Sequence, residues 1–306
     1  MVQSIVLTGP TASGKTGVAL EVAASLGNLE IINADSVCFY RHFDIGSAKP
    51  TEQERSSIPH HLIDVANPEE TYHAARFLED CTRTLGEIHS RGKRALIVGG
   101  SGFYLKALRF GLWDAPPTSP EFRKTLESLS SSDLHSRLLV EDPVQASRIA
   151  PQDRYRIIRA LEILALSGKK PSELEASMPS EPDPRFQLWV IDREAEDLEA
   201  RIRSRIRGMI NAGWLEETSQ LRSRYPESKT LHSLGYQQVL DHLDGISPSG
   251  RKIKPGMEGL EDEIGLAHRQ LAKQQRTWFK NLGFDRHFLL DRDRISLKEA
   301  LMGFYQ

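Results

Sequence analysis

The residues whose types and spacing carry the most chemistry are Gly9-Pro10-Thr11-Ala12-Ser13-Gly14-Lys15-Thr16, an instance of the G-x-x-x-x-G-K-S/T pattern. Gly9 and Gly14 permit backbone conformations and close approaches that a Cβ would block. The amides of such a loop turn inward onto one anion, beside the positive end of the helix that follows. Lys15 supplies a mobile cation for phosphate oxygens, and Thr16 a hydroxyl suited to Mg²⁺. The ligand this pattern implies is a diphosphate or triphosphate. The flanks fit: residues 4–8 are an apolar run and 16–26 an amphipathic stretch, so strand, loop and helix follow one another as the pattern requires.

Two further positions come from the same kind of element. A second strand at 29–33 runs into Ala34-Asp35-Ser36, and ligands of open parallel sheets gather beyond the carboxyl ends of strands, which places Asp35 near the phosphate loop. The local sequence alone equally allows a helix-cap or turn aspartate there. An apolar run at 94–98 ends in Gly99-Gly100-Ser101-Gly102, a turn that either brings Ser101 to the ligand or serves only tight helix packing. A nucleoside triphosphatase usually ends such a strand in a metal-holding aspartate, but Val98 is followed by glycines. That absence weighs against hydrolysis or transfer of a γ-phosphate. His60, His61 and Asp64 have no companions at zinc spacing, and a short strand or turn accounts for them.

The elements that position these residues form an interrupted α/β domain. A long helical pattern spans 71–91. Proline-rich breaks at 114–120 and 179–184 bracket helical segments at 121–129, 134–140 and 153–167, and a core strand resumes at 188–191. The expected organisation is a P-loop-like parallel sheet flanked by helices, residues 1–113 and 187–306, with a small helical domain inserted at 114–186. Within the insertion Arg154, Arg156 and Arg159 cluster on one helix, which as an isolated group reads as a solvated face. Residues 193–221 read as one helix with Ile202, Ile206, Met209, Ile210 and Gly213 inward, and with Arg201 and Arg205 as an i, i+4 pair able to clamp phosphate. The segment 244–259 reads as a loop carrying Arg251, Lys252 and Lys254. In the last long helix Leu271, Trp278 and Leu282 share one side, while Arg269, Lys273, Arg276 and Lys280 form an opposite ridge with no acidic residue between 267 and 281. A charged outer face commonly serves solvation, yet a ridge of one sign suits a phosphate backbone. A closing strand is expected near 286–291.

Composition bounds the rest. With 306 residues the chain exceeds the usual single-domain size, and a net charge of −2 excludes a global basic field, so any RNA contact is local. Cys38 and Cys81 have neither metal-ligand spacing nor a disulfide framework and suit a reducing cytosol. No signal-peptide pattern and no membrane-length apolar run is present, so a cytoplasmic protein without membrane contact is expected.

In this order of motifs the chain resembles the bacterial tRNA dimethylallyltransferases, also called tRNA isopentenyltransferases. The resemblance rests on the phosphate-loop octet; Ala34-Asp35-Ser36 with Tyr40-Arg41; Asp44-Ile45-Gly46-Ser47-Ala48-Lys49-Pro50; Pro59-His60-His61-Leu62-Ile63-Asp64; and Val98 to Tyr104. It continues in Arg159-Ala160-Leu161-Glu162, Leu234-Gly235-Tyr236 and Arg269 to Phe279. The resemblance implies transfer of a dimethylallyl group from dimethylallyl diphosphate to the exocyclic amine of the adenine 3′ of the anticodon in tRNA, with Mg²⁺. It implies a prenyl diphosphate rather than ATP in the loop, in keeping with the missing strand-end aspartate.

Asp35 is then the candidate base for the amine proton. Gly14, Lys15, Thr16 and Arg205 are the candidates for stabilising the departing diphosphate, with Mg²⁺ on Thr16. Ser101 stands where the family usually has threonine, with a hydroxyl near the amine. The resemblance further implies RNA contact by Asp35, Ser36, Val37, Cys38, Ser101, Arg123, Tyr155, Arg156, Ile157, Ile158 and Arg159. The ridge Arg269, Lys273, Arg276 and Lys280 is expected on tRNA phosphates from helix geometry. The family commonly has Lys-Arg-Gln where this chain has Lys273-Gln274-Gln275, one basic group fewer. Three rivals stay open at this level: a P-loop small-molecule kinase, an RNA-binding regulator switched by nucleotide, and a prenyltransferase of free adenine nucleotides, which would need neither lobe nor ridge. A monomer is the expected state.

Overall fold

The structure, a computed structural model, describes residues 3–246 and 254–306. Arg251 and Lys252 of the expected basic loop lie outside the described residues. The chain divides into two compact units, one of residues 1–109 with 183–306 and one of residues 110–182.

The first unit is built on six parallel strands: β1 Ser4–Thr8, β2 Leu29–Asn33, β3 His60–His61, β4 Arg94–Val98, β5 Phe186–Asp192 and β6 Arg286–Leu289, in the spatial order β3-β2-β4-β1-β5-β6. The four central strands are short, apolar and nearly wholly buried, as strands covered on both faces must be. Alternate residues Ile5, Leu7, Ile31, Leu96, Trp189 and Ile191 form one core with the first helix, Lys15–Leu26, and the last, Leu290–Tyr305. The last helix locks the sheet by a buried group: Tyr305 Oη accepts from Ile5 N at 3.1 Å and donates to Ala95 O at 2.8 Å.

The register aligns the strand ends. Leu7 and Asn33 both pair with Val98, and Thr8 pairs with Val190. The loops after β2, β4, β1 and β5 therefore leave the sheet side by side, the place where open α/β sheets bind ligands. Their approach depends on Gly99, where a Cβ would stand 2.2 Å from the carbonyl carbon and oxygen of Ala34. Only a residue without a side chain lets the Ser101 turn settle against the Asp35 turn.

The expected helix at 193–221 is two helices, Ala195–Asn211 and Trp214–Arg224. Gly213 divides them with φ 99°, a conformation that ends one helix and starts the next. Ile202, Ile206 and Met209 do face inward, with Leu198, whereas Ile210 is only half-buried. In the helix Gly256–Leu282 the buried face is Ile264, His268, Ala272, Phe279 and Leu282; Leu271 is only partly buried, and Trp278 is 38% exposed and lies against Gly102.

The second unit holds the helices Pro120–Thr125, Ser131–Glu141 and Arg154–Ser167 around Leu126, Leu134, Leu138 and Leu161. Ser119 caps a helix with proline at its first position, Ser130 and Asp133 form a capping box, and Gly168 closes its helix in the left-handed conformation. Among the described residues no helix is long and apolar enough to cross a membrane.

Candidate active site

The phosphate loop runs from the end of β1 to the first turn of the Lys15–Leu26 helix, with Gly14 in the left-handed region at φ 100°. The helix's first internal bond is Val18 N to Gly14 O, so the amides of Lys15, Thr16 and Gly17 are the donors that a helix start leaves for an anion. Thr11 N and Ser13 N are already committed, to Gln275 Oε1 and Pro10 O. The loop's carbonyls are held from behind. Lys15 Nζ donates to Gly9 O at 2.8 Å and Pro10 O at 3.0 Å, Arg201 Nε to Ala12 O at 3.1 Å, and Arg193 Nε to Ser13 O at 2.8 Å. Ser13 Oγ is buried without a hydrogen-bond partner among the described residues.

Asp35 stands at the end of β2 on a turn fixed by Asn33, whose Oδ1 accepts from Asp35 N and whose Nδ2 donates to Asp35 O and Leu62 O. One carboxylate oxygen accepts from Val37 N at 3.2 Å, an Asx turn that sets the side chain's direction. Ser101 Oγ accepts from Ser36 N at 3.0 Å, joining the turns after β4 and β2.

Lys15, Asp35 and Arg205 form one electrostatic cluster. Burial pushes the Lys15 ammonium down to about 8, Asp35 pulls it up, and Arg205 pushes it down again. Burial also lowers Arg205 from its ordinary value, opposed by Asp35 and Cys38. The guanidinium's Nε is buried with no partner among the described residues. His268, pressed down to about 4 by burial and by Arg205, is neutral at physiological pH. The four expected catalytic side chains thus sit on adjacent strand ends, or in the case of Arg205 on the helix beside them. A cationic anion cradle, a carboxylate and a hydroxyl lie close together, groups able to stabilise an anion and to accept a proton.

Several of the side chains singled out in the sequence are turned inward or already paired. The Cys38 thiol is buried, directed to Ser47 O, and raised far above its usual range by burial and Asp35; it is a core group. Ile157 is wholly buried in the helical unit's core, and Ile158 packs against that core. Both follow from helical periodicity, since a run of five consecutive residues must turn some of them inward. Arg201 braces the loop carbonyl of Ala12 rather than pairing with Arg205 as a clamp. The ridge is half neutralised: Arg276 makes paired bonds to Asp192 at 2.8 and 2.7 Å, and Arg269 reaches Glu199 at 3.4 Å. These carboxylates come from β5 and the Ala195–Asn211 helix, so inspection of the ridge's own helix could not reveal them. Lys273 and Lys280 remain exposed. In the helical unit Tyr155 is 68% exposed, with Arg123 over its ring at 5.6 Å. Ser36 and Val37 are half-buried, and Arg156 is exposed beside Asp153.

Arg123 and Arg159 converge on Glu162, which is wholly buried and also accepts from Ser119 N. Burial raises the Glu162 carboxyl, but the two guanidiniums and the Ser119 amide prevail and hold it down at about 2. A group depressed in the folded state stabilises the fold above its unfolded value of 4.5 and loses that contribution as pH falls towards 2. Glu162→Ala is expected to destabilise the helical unit by about 3 kcal/mol at neutral pH, because it leaves two half-buried cations unpaired. Thermal unfolding from pH 7 to 2.5 checks it: the gap between the two proteins narrows with acid.

The IPP transferase family profile matches residues 38–282. The chain belongs to the IPP transferase family. It is 43% identical over 291 residues to the tRNA dimethylallyltransferase of Chromobacterium violaceum, covering 92% of this chain and 86% of the relative. It is 42% identical to that of Paraburkholderia phytofirmans, covering 90% and 89%. Among solved structures, this IPP transferase superposes on a eukaryotic dimethylallyltransferase acting on tRNA with TM-score 0.82 at 26% identity, covering 98% of this chain and 78% of the other. The tRNA isopentenylpyrophosphate transferase of Bacillus halodurans gives TM-score 0.68 at 30% identity, covering 100% and 97%.

Sequence reasoning about this IPP transferase missed three site features. Arg193 and Gln275 hold the phosphate loop from 180 and 264 residues away, and no local pattern announces such a contact. Glu217, which accepts from the amides of Asp44, Ile45 and Gly46 and from Tyr236 Oη, pins the segment after the Asp35 turn.

Proposed function

We propose that this IPP transferase moves the dimethylallyl group of dimethylallyl diphosphate onto the exocyclic N6 amine of the adenosine immediately 3′ of the anticodon, position 37, in tRNA. The products are N6-dimethylallyladenosine and diphosphate. The observation that carries the reading is the Lys15–Asp35–Arg205 cluster, an anion cradle facing a carboxylate, with Val98 and two glycines where a phosphotransferase places its metal-holding aspartate.

The adenine amine is a weak nucleophile. Asp35 accepts its proton as the nitrogen–carbon bond forms, and the Ser101 hydroxyl orients the amine. The carbon–oxygen bond to diphosphate breaks, and the charge left on oxygen is received by the amides of Lys15 and Thr16, by Lys15 Nζ and by Arg205. To reach the phosphate oxygens Lys15 exchanges its two loop carbonyls for them.

Mg²⁺ fits this donor set in one way. No group of three His, Cys, Asp or Glu side chains able to hold a metal occurs among the described residues, and the Thr16 hydroxyl at the start of the helix is the side chain that would hold the ion beside the diphosphate. When bound it neutralises charge on the leaving group.

The target base leaves its stack to reach the site. Lys273 and Lys280 meet tRNA phosphates. In the helical unit exposed Tyr155 and Arg156, with Arg123 and Arg159 held beside them by Glu162, meet the anticodon stem-loop. We read the working unit as a cytoplasmic monomer.

The test is to incubate the protein with Mg²⁺, dimethylallyl diphosphate and unmodified tRNA. One prenyl mass gain on a single adenosine is expected, and none on free adenine nucleotides. Transfer of the γ-phosphate of labelled ATP to an acceptor, with tRNA unchanged, would overturn the reading.

A further inference from the structure

The transfer proposed above needs the attacking amine and the departing diphosphate on opposite sides of one carbon. The two halves of that geometry come from different loops, and a side chain from a third element bonds to both. Gln275, on the helix Gly256–Leu282, accepts from Thr11 N at 2.8 Å through Oε1 and donates to Gly100 O at 2.9 Å through Nε2. A primary amide is the neutral side-chain group that offers an acceptor and a donor at the same end, and here both are used on backbone. The contact is close: a Cβ at Gly100 would stand 2.6 Å from Nε2.

Each bond acts on a different half of the site. Thr11 lies inside the phosphate loop, two residues before Ser13 and four before Lys15. Gly100 directly precedes Ser101, whose Oγ holds Ser36 N beside Asp35. The neighbouring residue Arg276 is itself fixed by paired bonds to Asp192 and by a bond to Arg193 O at 2.9 Å, which anchors this turn of the helix. Thr8 Oγ1, at the end of β1, also donates to Gly99 O at 2.8 Å, but that bond ties the bases of the two loops, whereas Gln275 reaches the interior of the phosphate loop and the residue next to Ser101.

We propose that Gln275 is a positioning residue: its amide sets the spacing between the diphosphate loop and the amine-accepting loop, so that the adenine amine rather than water takes the prenyl carbon. This rests on the transfer proposed above. When the spacing is lost, the carbon–oxygen bond still breaks, a water oxygen bonds to the same carbon, the water's proton passes to solvent, and the products are a five-carbon allylic alcohol and diphosphate. A displacement of about 1 Å is enough to cost a large part of the rate of an aligned step.

Two variants test it. Gln275→Glu keeps an acceptor for Thr11 N but sets a carboxylate oxygen against Gly100 O. Gln275→Met keeps the volume, carries no charge and makes neither bond. With saturating tRNA, Mg²⁺ and labelled dimethylallyl diphosphate, the ratio of diphosphate released to adenosine prenylated is read for each protein. The unsubstituted protein is expected to give one. Both variants are expected to release diphosphate in roughly threefold or greater excess, with allylic alcohol making up the difference. Loss of folded protein lowers both products together, and saturating tRNA keeps the acceptor in place, so a ratio of one in both variants overturns the proposal whatever happens to turnover. A variant that neither transfers nor hydrolyses also overturns it, because misalignment alone leaves the leaving-group machinery working. Failure of the unsubstituted protein to prenylate tRNA would instead strike the proposed function.

Discussion

Asp35→Asn lowers the rate of prenyl transfer by about 10²–10⁴-fold while leaving tRNA affinity within a few-fold of the original. The expectation follows from what the substitution keeps. Asn33 fixes the turn through the backbone of residue 35, and an asparagine oxygen can still accept from Val37 N, so the loop retains its shape. What disappears is the group able to take a proton from the amine as the new bond forms. Electrostatics reinforce the choice, because Asp35 supports the charged forms of both Lys15 and Arg205. Single-turnover rates and equilibrium tRNA binding separate the two quantities. If affinity collapses and the rate holds, Asp35 is an RNA-binding residue and the base lies elsewhere.

Lys15→Ala is expected to cost about 10²–10³-fold in turnover, the scale on which a single donor to a developing anion acts in a water-poor site. The lysine also predicts a pH dependence whose sign is fixed. The useful form is the ammonium, and burial has brought its ordinary value of 10.5 down to about 8. As pH rises through that value the free enzyme loses the cation, so kcat/KM for dimethylallyl diphosphate falls towards tenfold per pH unit above it. Bound diphosphate favours the charged form, so the corresponding limb in kcat lies at higher pH. Lys15→Arg, always charged, should remove the alkaline limb from kcat/KM even where it lowers the maximum. A limb that persists unchanged in the arginine variant assigns it to another group.

How far the sequence foretold this arrangement depends on the range of the interaction concerned. The phosphate loop, the Asp35 turn and the Ser101 turn were legible because each is a strand end followed by a local signal. Parallel-sheet logic then put all three on the same edge. The ends of β2, β4 and β5 were readable from short apolar runs, and the proline-rich breaks marked the helical insertion. The errors arose where partners are remote. Gly213 reads as one more residue on a helix face until its left-handed backbone shows that a helix ends there. The basic ridge looked free because Asp192 and Glu199 lie on other elements. Cys38 and Ile157 were carried along with their neighbours in a motif, although strand ends and helices alternate which side chains face the core. Gln275 illustrates the limit: its chemistry depends on two backbone atoms that precede it by 264 and 175 residues, and an isolated glutamine gives no sign of that.

The buried phenol of Tyr305 has a consequence for how the molecule comes into being. Its partners, Ile5 N and Ala95 O, belong to the first and fourth strands. Translation delivers Ile5 300 residues before Tyr305. At about 5–20 residues per second, the nascent chain spends on the order of 15–60 seconds with its earliest strand made and its final lock not yet synthesised. β5, which flanks β1 on the side away from β4, also arrives late. β1 therefore waits, apolar and half-paired, for a residue made 300 positions later. The interval is one in which holding chaperones have most to protect.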